Sequence, residues 1–310
     1  MQNFITSSNS TVRMQPDTKY FNNIKHLCIG HCCHDWVGEA YILGGSASYS
    51  GFLSKAWSLD TSVLTSVGND FLFFDRFENL GINLLNVPAE HTTVFHNKYM
   101  ENYRIQYLKS RADTINSDHL AERRTDYDIV QFCPIADEIA PDIIELFPNS
   151  LKVASIQGFL RQWDNKGLVA LKEMNWSLLK NVDIVFLSTE DIQEAPHYLK
   201  FIIAQCTHVI VTDNENGATA YYKNEAYHYP SIQTNSVDAT GAGDTFATAY
   251  AIDYYLNKDI TRACSFAHSA ASLIIEHVGL SDIPQLSDIR SRQREYLSNI
   301  EVPIPVKASF

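Results

Sequence analysis

The chain has 310 residues, 45% of them apolar and 19% charged, and a formal net charge of −12 at pH 7. Such a length can bury a large core in one domain or two smaller ones. The acidic balance argues against nucleic acid or an anionic membrane as partner, and no apolar run reaches the roughly 18 residues of a membrane span.

The first residues are polar (Ser7, Ser8, Asn9, Ser10, Thr11) and lack the apolar core of a signal peptide. From there, apolar runs predict buried strands at 25–30, 61–67, 127–133, 150–156, 182–187 and 207–212. Helical patterns lie at 46–58, 69–80, 138–147, 168–180, 190–204, 241–256 and 260–276. This alternation predicts an α/β fold with a central, mostly parallel sheet flanked by crossover helices. Two non-helical inserts interrupt it. One is an extended stretch at 36–43. The other is a hairpin over 91–114 turning near Glu101-Asn102, with Tyr103, Ile105 and Tyr107 on one face and Arg104 and Gln106 on the other. Together they suggest a small β lid whose aromatic stripe covers a site, although an ordinary edge hairpin has the same pattern. Nothing in the composition splits the chain. The expectation is therefore a polar extension at 1–24, one domain at 25–300 and a tail at 301–310.

Cysteines at 28, 32, 33, 133, 206 and 264 include no Cys-x-x-Cys pair, which fits reduced thiols in a cytoplasmic protein. His31-Cys32-Cys33-His34 looks like half of a metal cluster but lacks a second ligand pair at zinc spacing. The most informative stretch is Val237-Asp238-Ala239-Thr240-Gly241-Ala242-Gly243-Asp244-Thr245-Phe246-Ala247. Small residues opening a helix form an anion site, because free N–H groups and the positive end of the dipole point the same way. Asp244 in the first turn suits a base that takes a proton from an attacking hydroxyl; an N-capping Asp in a tight turn is the plainer alternative. No Gly-x-x-x-x-Gly-Lys-Ser/Thr loop and no Gly-x-Gly-x-x-Gly occurs, which disfavours P-loop and dinucleotide sites.

The string Asp238-x-Thr240-Gly241-Ala242-Gly243-Asp244 resembles the C-terminal signature of the ribokinase-like (PfkB) carbohydrate kinases. Gly44-Gly45-Ser46-Ala47-Ser48-Tyr49 resembles their first signature, and Ser66-Val67-Gly68-Asn69-Asp70 with Leu80-Gly81-Ile82 follow in family order. Gly30-His31-Cys32-Cys33-His34-Asp35, Tyr49 and Ile156-Gln157-Gly158-Phe159-Leu160-Arg161 look most like the plant-type inositol kinases. The resemblance spans roughly 25–280.

It implies an ATP- and Mg²⁺-dependent kinase of a small polyhydroxy substrate, monomeric or dimerising through the lid. Asp244 would be the base and Gly241, Ala242 and Gly243 the anion hole. Asp35, Gly44, Gly45, Ser46, Tyr49 (stacking on the polyol) and Arg161 would hold the substrate. Ser188, Thr212, Asn214, Gly217, Asp238, Thr240, Ala267, His268 and Ala271 would surround ATP. The family's Asn-x-x-Glu appears as Ser188-Thr189-Glu190-Asp191, so Glu190 and Asp191 would hold magnesium through water. Its Thr-x-Gly-x-x-Gly appears as Thr212-Asp213-Asn214-Glu215-Asn216-Gly217, with Asn214 in the first glycine's place. A nucleoside or vitamin-precursor kinase of this fold, or a non-catalytic sugar or nucleotide sensor, are the alternatives.

Overall fold

The computed structural model describes residues 21–99, 104–120 and 126–306. Its strands, in chain order, begin with β1 (Lys25–Ile29), β2 (Cys33–Val37), β3 (Ala40–Gly44), β4 (Asp60–Val67) and β5 (Asn83–Pro88). Then come β6 (Thr93–Tyr99), β7 (Arg104–Ser110), β8 (Ile129–Phe132), β9 (Leu151–Ser155), β10 (Arg161–Trp163) and β11 (Val169–Leu171). The last are β12 (Ile184–Ser188), β13 (His208–Thr212), β14 (Ala218–Tyr222), β15 (Glu225–Tyr229) and β16 (Ile304–Val306). The helices are α1 (Ser46–Ala56), α2 (Phe74–Leu80), α3 (Tyr198–Gln205), α4 (Ala242–Asn257), α5 (Ile260–Ile274) and α6 (Leu286–Asn299).

Ten strands form the main sheet in the order β16-β15-β14-β13-β12-β9-β8-β1-β4-β5. From β13 to β5 every pairing is parallel, and β14 to β16 turn antiparallel at one edge. Strands apolar on both faces explain this burial. In β12, Ile184 and Phe186 pack with Tyr250 of α4 and Phe266 of α5, whereas Val185 and Leu187 pack with Ile143, Leu179 and Ile202 on the other side.

The six strands expected from the apolar runs all form. Several helices are shorter than their patterns predict. In 138–147 only a 3₁₀ turn at Pro141–Leu146 forms, and Pro196 separates a turn at Thr189–Ile192 from α3. The expected helix at 168–180 is instead strand β11 followed by the turn Trp176–Asn181, which Asn175 caps by accepting from Ser177 N–H. Two boundaries also shift. Phe21 and Ile24, from the expected extension, are buried in the core, and Ile304–Val306, from the expected tail, pairs with β15.

The two inserts meet in a second sheet of order β3-β2-β6-β7. The ribbon β10–β11 joins its free side: Leu108 N–H donates to Gly167 O at 2.8 Å and Tyr107 bridges Leu168. Register and alternation then sort the faces. Trp36, Tyr41, His96 and Tyr107 share one face; Trp36 and His96 ring centroids lie 4.6 Å apart, and Lys98 and Lys109 both sit over Tyr107. Asp35, Phe95, Asn97, Gln106 and Leu108 share the other. Phe95 and Leu108 pack there with Ile135 and Ala136 of the main body. The stripe expected to cover the site, Ile105 and Tyr107, is thus on the face opposite Asp35, and Tyr103 lies outside the described residues. Among the described residues no helix is long and apolar enough to cross a membrane.

Candidate active site

Arg161, Ser188, Glu190, Asp191, Thr212, Asn214 and Gly217 lie at or just past the C-terminal ends of the parallel strands β9, β12 and β13, where an open α/β sheet leaves its crevice. The loop at 238–244 instead follows the antiparallel edge strand β15. Asp244 is the meeting point. It sits in the first turn of α4, partly buried. Burial pushes its carboxyl up to about 6; the Ser46 hydroxyl and the Arg161 guanidinium hold it down, and Asp191 adds repulsion. A carboxylate so poised is ionised at neutral pH yet basic enough to take a proton late in a transfer.

The loop before it depends on Gly241, whose φ of 82° is left-handed and whose added Cβ would lie 2.2 Å from the Tyr49 ring. Of the groups expected to form an anion hole, Ala242 N–H is engaged with Ala239 O at 3.2 Å, which leaves the first-turn N–H groups of Gly243 and Asp244 for that role. Gly243 is exposed, and a Cβ there would meet nothing within 4 Å.

On the acceptor side, the Asp35 carboxylate lies against Gly44, where a Cβ would come within 2.1 Å of Oδ2. Ser46 opens α1 beside Asp244. Arg161 donates to Ile135 O at 2.9 Å, lies over Phe95, and its charge acts on both Asp244 and Asp191. Tyr49 corrects the expectation of a stacking platform. It is 5% exposed, its ring supports Gly241, and its hydroxyl points toward Gly279. Sequence reasoning missed Asn97 and Gln106, a hydrogen-bonded amide pair (2.9 Å) on the Asp35 face. Alternation from Phe95 was the available signal. His31, from the apparent metal cluster, instead spends Nδ1 on Thr93 and Nε2 on the Asp113 carbonyl, both at 2.8 Å. Among the described residues no cluster of His, Cys, Asp or Glu could hold a metal ion, and all six cysteines are buried free thiols.

On the donor side, a cavity of about 390 Å³ opens beside the loop. Thr212, Asn214, Gly217, His268 and Ala271, named above for ATP, line it together with Ala242 and Gly243 of the loop and with Ile232, Gln233, Phe246 and Ile275, which the sequence reading did not single out. Asn214 adopts φ 45°, the left-handed geometry anticipated for it. Gly217 has φ 104°, and a Cβ would meet Tyr229 O at 2.2 Å. His268 is kept neutral by burial, its pKa lowered to about 4; one ring nitrogen bonds the Tyr229 carbonyl, and Nε2 has no partner among the described residues. Four expected ATP contacts fall elsewhere. Ala267 is fully buried, because it points into the core while His268 and Ala271 turn toward the cavity. Asp238 accepts from Thr240 N–H (2.9 Å) and Gly279 N–H (3.0 Å), stapling the loop, and Thr240 is exposed outside the cavity lining. Ser188 forms a capping box with Asp191, whose oxygens accept from Ser188 N–H (2.8 Å) and Gln157 (2.6 Å). Glu190 is exposed and accepts from Asn214 at 2.8 Å. A larger hollow of about 540 Å³ between Tyr229, Lys258 and Pro303 lies at the far end of α4, roughly 20 Å from Asp244 by helix rise.

The fold is ribokinase-like, as in the ribokinase-family structures it superposes on. A structure of a pyrophosphate-dependent kinase in the ribokinase family, complexed with a pyrophosphate analog and myo-inositol, superposes with a TM-score of 0.73 at 20% identity, covering 86% of this chain and 99% of the other. Arabidopsis thaliana ribokinase, complexed with ribose and ATP, gives 0.70 at 16%, covering 88% and 99%. Residues 168–286 match the model of the pfkB family carbohydrate kinases. The Arabidopsis thaliana inositol 3-kinase is 26% identical over 83% of this chain and 75% of its own length. The pfkB match over 168–286 and the similarity to inositol 3-kinases support a phosphotransferase acting on a hydroxyl group.

Proposed function

We propose that the protein transfers the γ-phosphoryl group of ATP to a hydroxyl of a small neutral polyol, inositol-like, or of a monosaccharide. The observation that carries this reading is the position of Asp244, with its pKa raised to about 6, between a polar acceptor wall and an apolar donor cavity. The similarity to inositol 3-kinases and to a structure holding myo-inositol supports the acceptor class.

Asp35 accepts from neighbouring hydroxyls, and the face bearing Asp35, Phe95, Asn97 and Gln106 closes over the acceptor. The reading takes 25–300 as one catalytic domain with the four-stranded sheet as its lid. Asp244 takes the proton as the oxygen–phosphorus bond forms, late in a loose transition state. The N–H groups of Gly243 and Asp244 stabilise the developing phosphoryl charge, and Arg161 adds a cation on the acceptor side. Adenine rests against Ile232, Phe246, Ala271 and Ile275, with His268 Nε2 as a hydrogen-bond acceptor. Magnesium, when bound, neutralises charge on the transferring phosphates. Exposed Glu190 fits the holding of its waters; Asp191, with both oxygens engaged, orients that turn.

Pyrophosphate is the rival donor, since the similar structures include a pyrophosphate-dependent kinase. The apolar cavity favours a nucleoside, which pyrophosphate would leave unfilled. The test is phosphoryl transfer from ATP and from pyrophosphate to a panel of inositols, hexoses, pentoses and nucleosides. Turnover of ATP with a cyclitol or monosaccharide is expected. Transfer only to nucleosides, only from pyrophosphate, or to nothing would overturn the proposal.

A further inference from the structure

A buried polar triangle lies one helical turn beneath the reacting groups. Helices α1 and α4 meet at their heads, where the Ser46 side chain faces the Asp244 carboxylate and favours its ionised form. Four residues further along each helix, about 6 Å deeper by helix rise, they meet again through Ser50 and Thr248. The Thr248 hydroxyl is 3.0 Å from Ser50 Oγ and donates to the Asp244 carbonyl oxygen at 2.7 Å. Gln131, from the centre of β8, donates its amide to both hydroxyls, at 3.1 Å to Ser50 and 3.3 Å to Thr248. All three side chains are essentially inaccessible to solvent.

Behind the triangle the bonds continue. Ser54 donates to the Ser50 carbonyl at 2.7 Å, so its oxygen accepts from His26 Nδ1–H, also at 2.7 Å. Burial lowers the His26 pKa to about 3, against the opposing pull of the Gln131 side chain, so the imidazole is neutral.

Apolar side chains would fill this helix–helix contact at less desolvation cost. A hydrogen bond, however, weakens steeply with distance and angle, so it specifies one separation where apolar packing tolerates sliding. Thr248 acts on the backbone of Asp244, and Ser50 sits one turn below Ser46, the residue that touches the Asp244 carboxylate. We infer that Gln131, Ser50 and Thr248 are positioning residues that set the register of α1 against α4, and through it the aim of the Asp244 carboxylate at the acceptor hydroxyl. The inference rests on Asp244 being the base.

The experiment compares Thr248→Val, Thr248→Ser and Gln131→Met in steady-state kinetics, pH–rate profiles and thermal melts of the whole chain. Displacement of a reacting group by about 1 Å is worth roughly 10²-fold in rate, so kcat should fall about 10- to 100-fold in Thr248→Val and Gln131→Met. Both KM values should stay within about twofold. Thr248→Ser, which keeps the hydroxyl, should restore most of kcat. Because the Ser46 side chain holds the Asp244 pKa down, the acid limb of kcat should move to higher pH in Thr248→Val and stay in place in Thr248→Ser. Wild-type kcat in Thr248→Val, or equal losses in the Val and Ser variants, would overturn the inference. If Gln131→Met does not fold, the Thr248 pair decides alone. Asp244→Asn separates the two claims: an active Asp244→Asn enzyme removes the base itself, whereas an inactive one beside an unaffected Thr248→Val removes only the positioning role.

Discussion

The two halves of the cleft are built on different principles. The half proposed to hold the phosphoryl donor is mostly backbone and small or apolar side chains: Gly217 and Gly241 in left-handed geometry, first-turn N–H groups, and a lining with Phe246, Ala271 and Ile275. The half proposed to hold the acceptor is charged side chains brought from far apart, with Asp35 on β2, Arg161 at the start of β10 and Asp244 on α4. A triphosphate asks for N–H groups and a base for a flat apolar slot, so loop geometry suffices on one side. A neutral polyol shows little besides hydroxyls, and recognising those in water takes ionised partners shielded from solvent.

The sharpest test of that contrast is at the boundary. Asp244→Asn should lower kcat about 10²- to 10⁴-fold while the melting temperature and ATP affinity hold, measured by turnover, thermal melts and nucleotide titration. Loss of ATP binding instead would make Asp244 a donor-side group. Next, Asp35→Ala should raise the acceptor KM about 10- to 100-fold, since a charged hydrogen-bond partner contributes roughly 1.5–3 kcal/mol, with the ATP KM unchanged. The mirror experiment is Gly217→Ala. Its Cβ would collide with the Tyr229 carbonyl, so the ATP KM should rise about tenfold and the acceptor KM should not move. Equal effects of either substitution on both substrates would erase the distinction between the halves.

Smallest, and most specific to the acceptor half, are shifts in pH dependence. The base must be ionised, so activity should fall as pH drops through about 6. Arg161→Gln removes a cation that favours the ionised form and should move this limb to higher pH. Asp191→Asn removes a repelling carboxylate and should move it lower. Opposite movements in pH–rate profiles are the expected outcome; a limb indifferent to both substitutions would place neither charge near the base.

The same division separates what was legible in the chain from what was not. Strand positions, the parallel sheet, the loop at 238–244 and the helix after it could all be read directly, because each depends on runs of a few neighbouring residues. The backbone tolerance expected of Asn214 is of this kind too. Helix lengths were overestimated where Pro141 and Pro196 cut the pattern. Misreadings cluster where contacts join distant segments. The local sequence makes Tyr49 look like a substrate platform, but the arrival of Gly241, nearly two hundred residues later, covers its ring. Ala267 and His268 are adjacent in sequence, and the packing of α5 alone sends one into the core and the other to the cavity. The hairpin could be recognised by alternation, yet which of its faces shares the side of Asp35 depends on how β6 pairs with β2, and that pairing puts Asn97 and Gln106 on the Asp35 face rather than Tyr107. Local sequence determines backbone geometry because steric and hydrogen-bonding preferences act over a few residues. Which side chain faces which, and therefore the pKa of Asp244, is decided only when helices and sheets from the whole chain exclude water around one point.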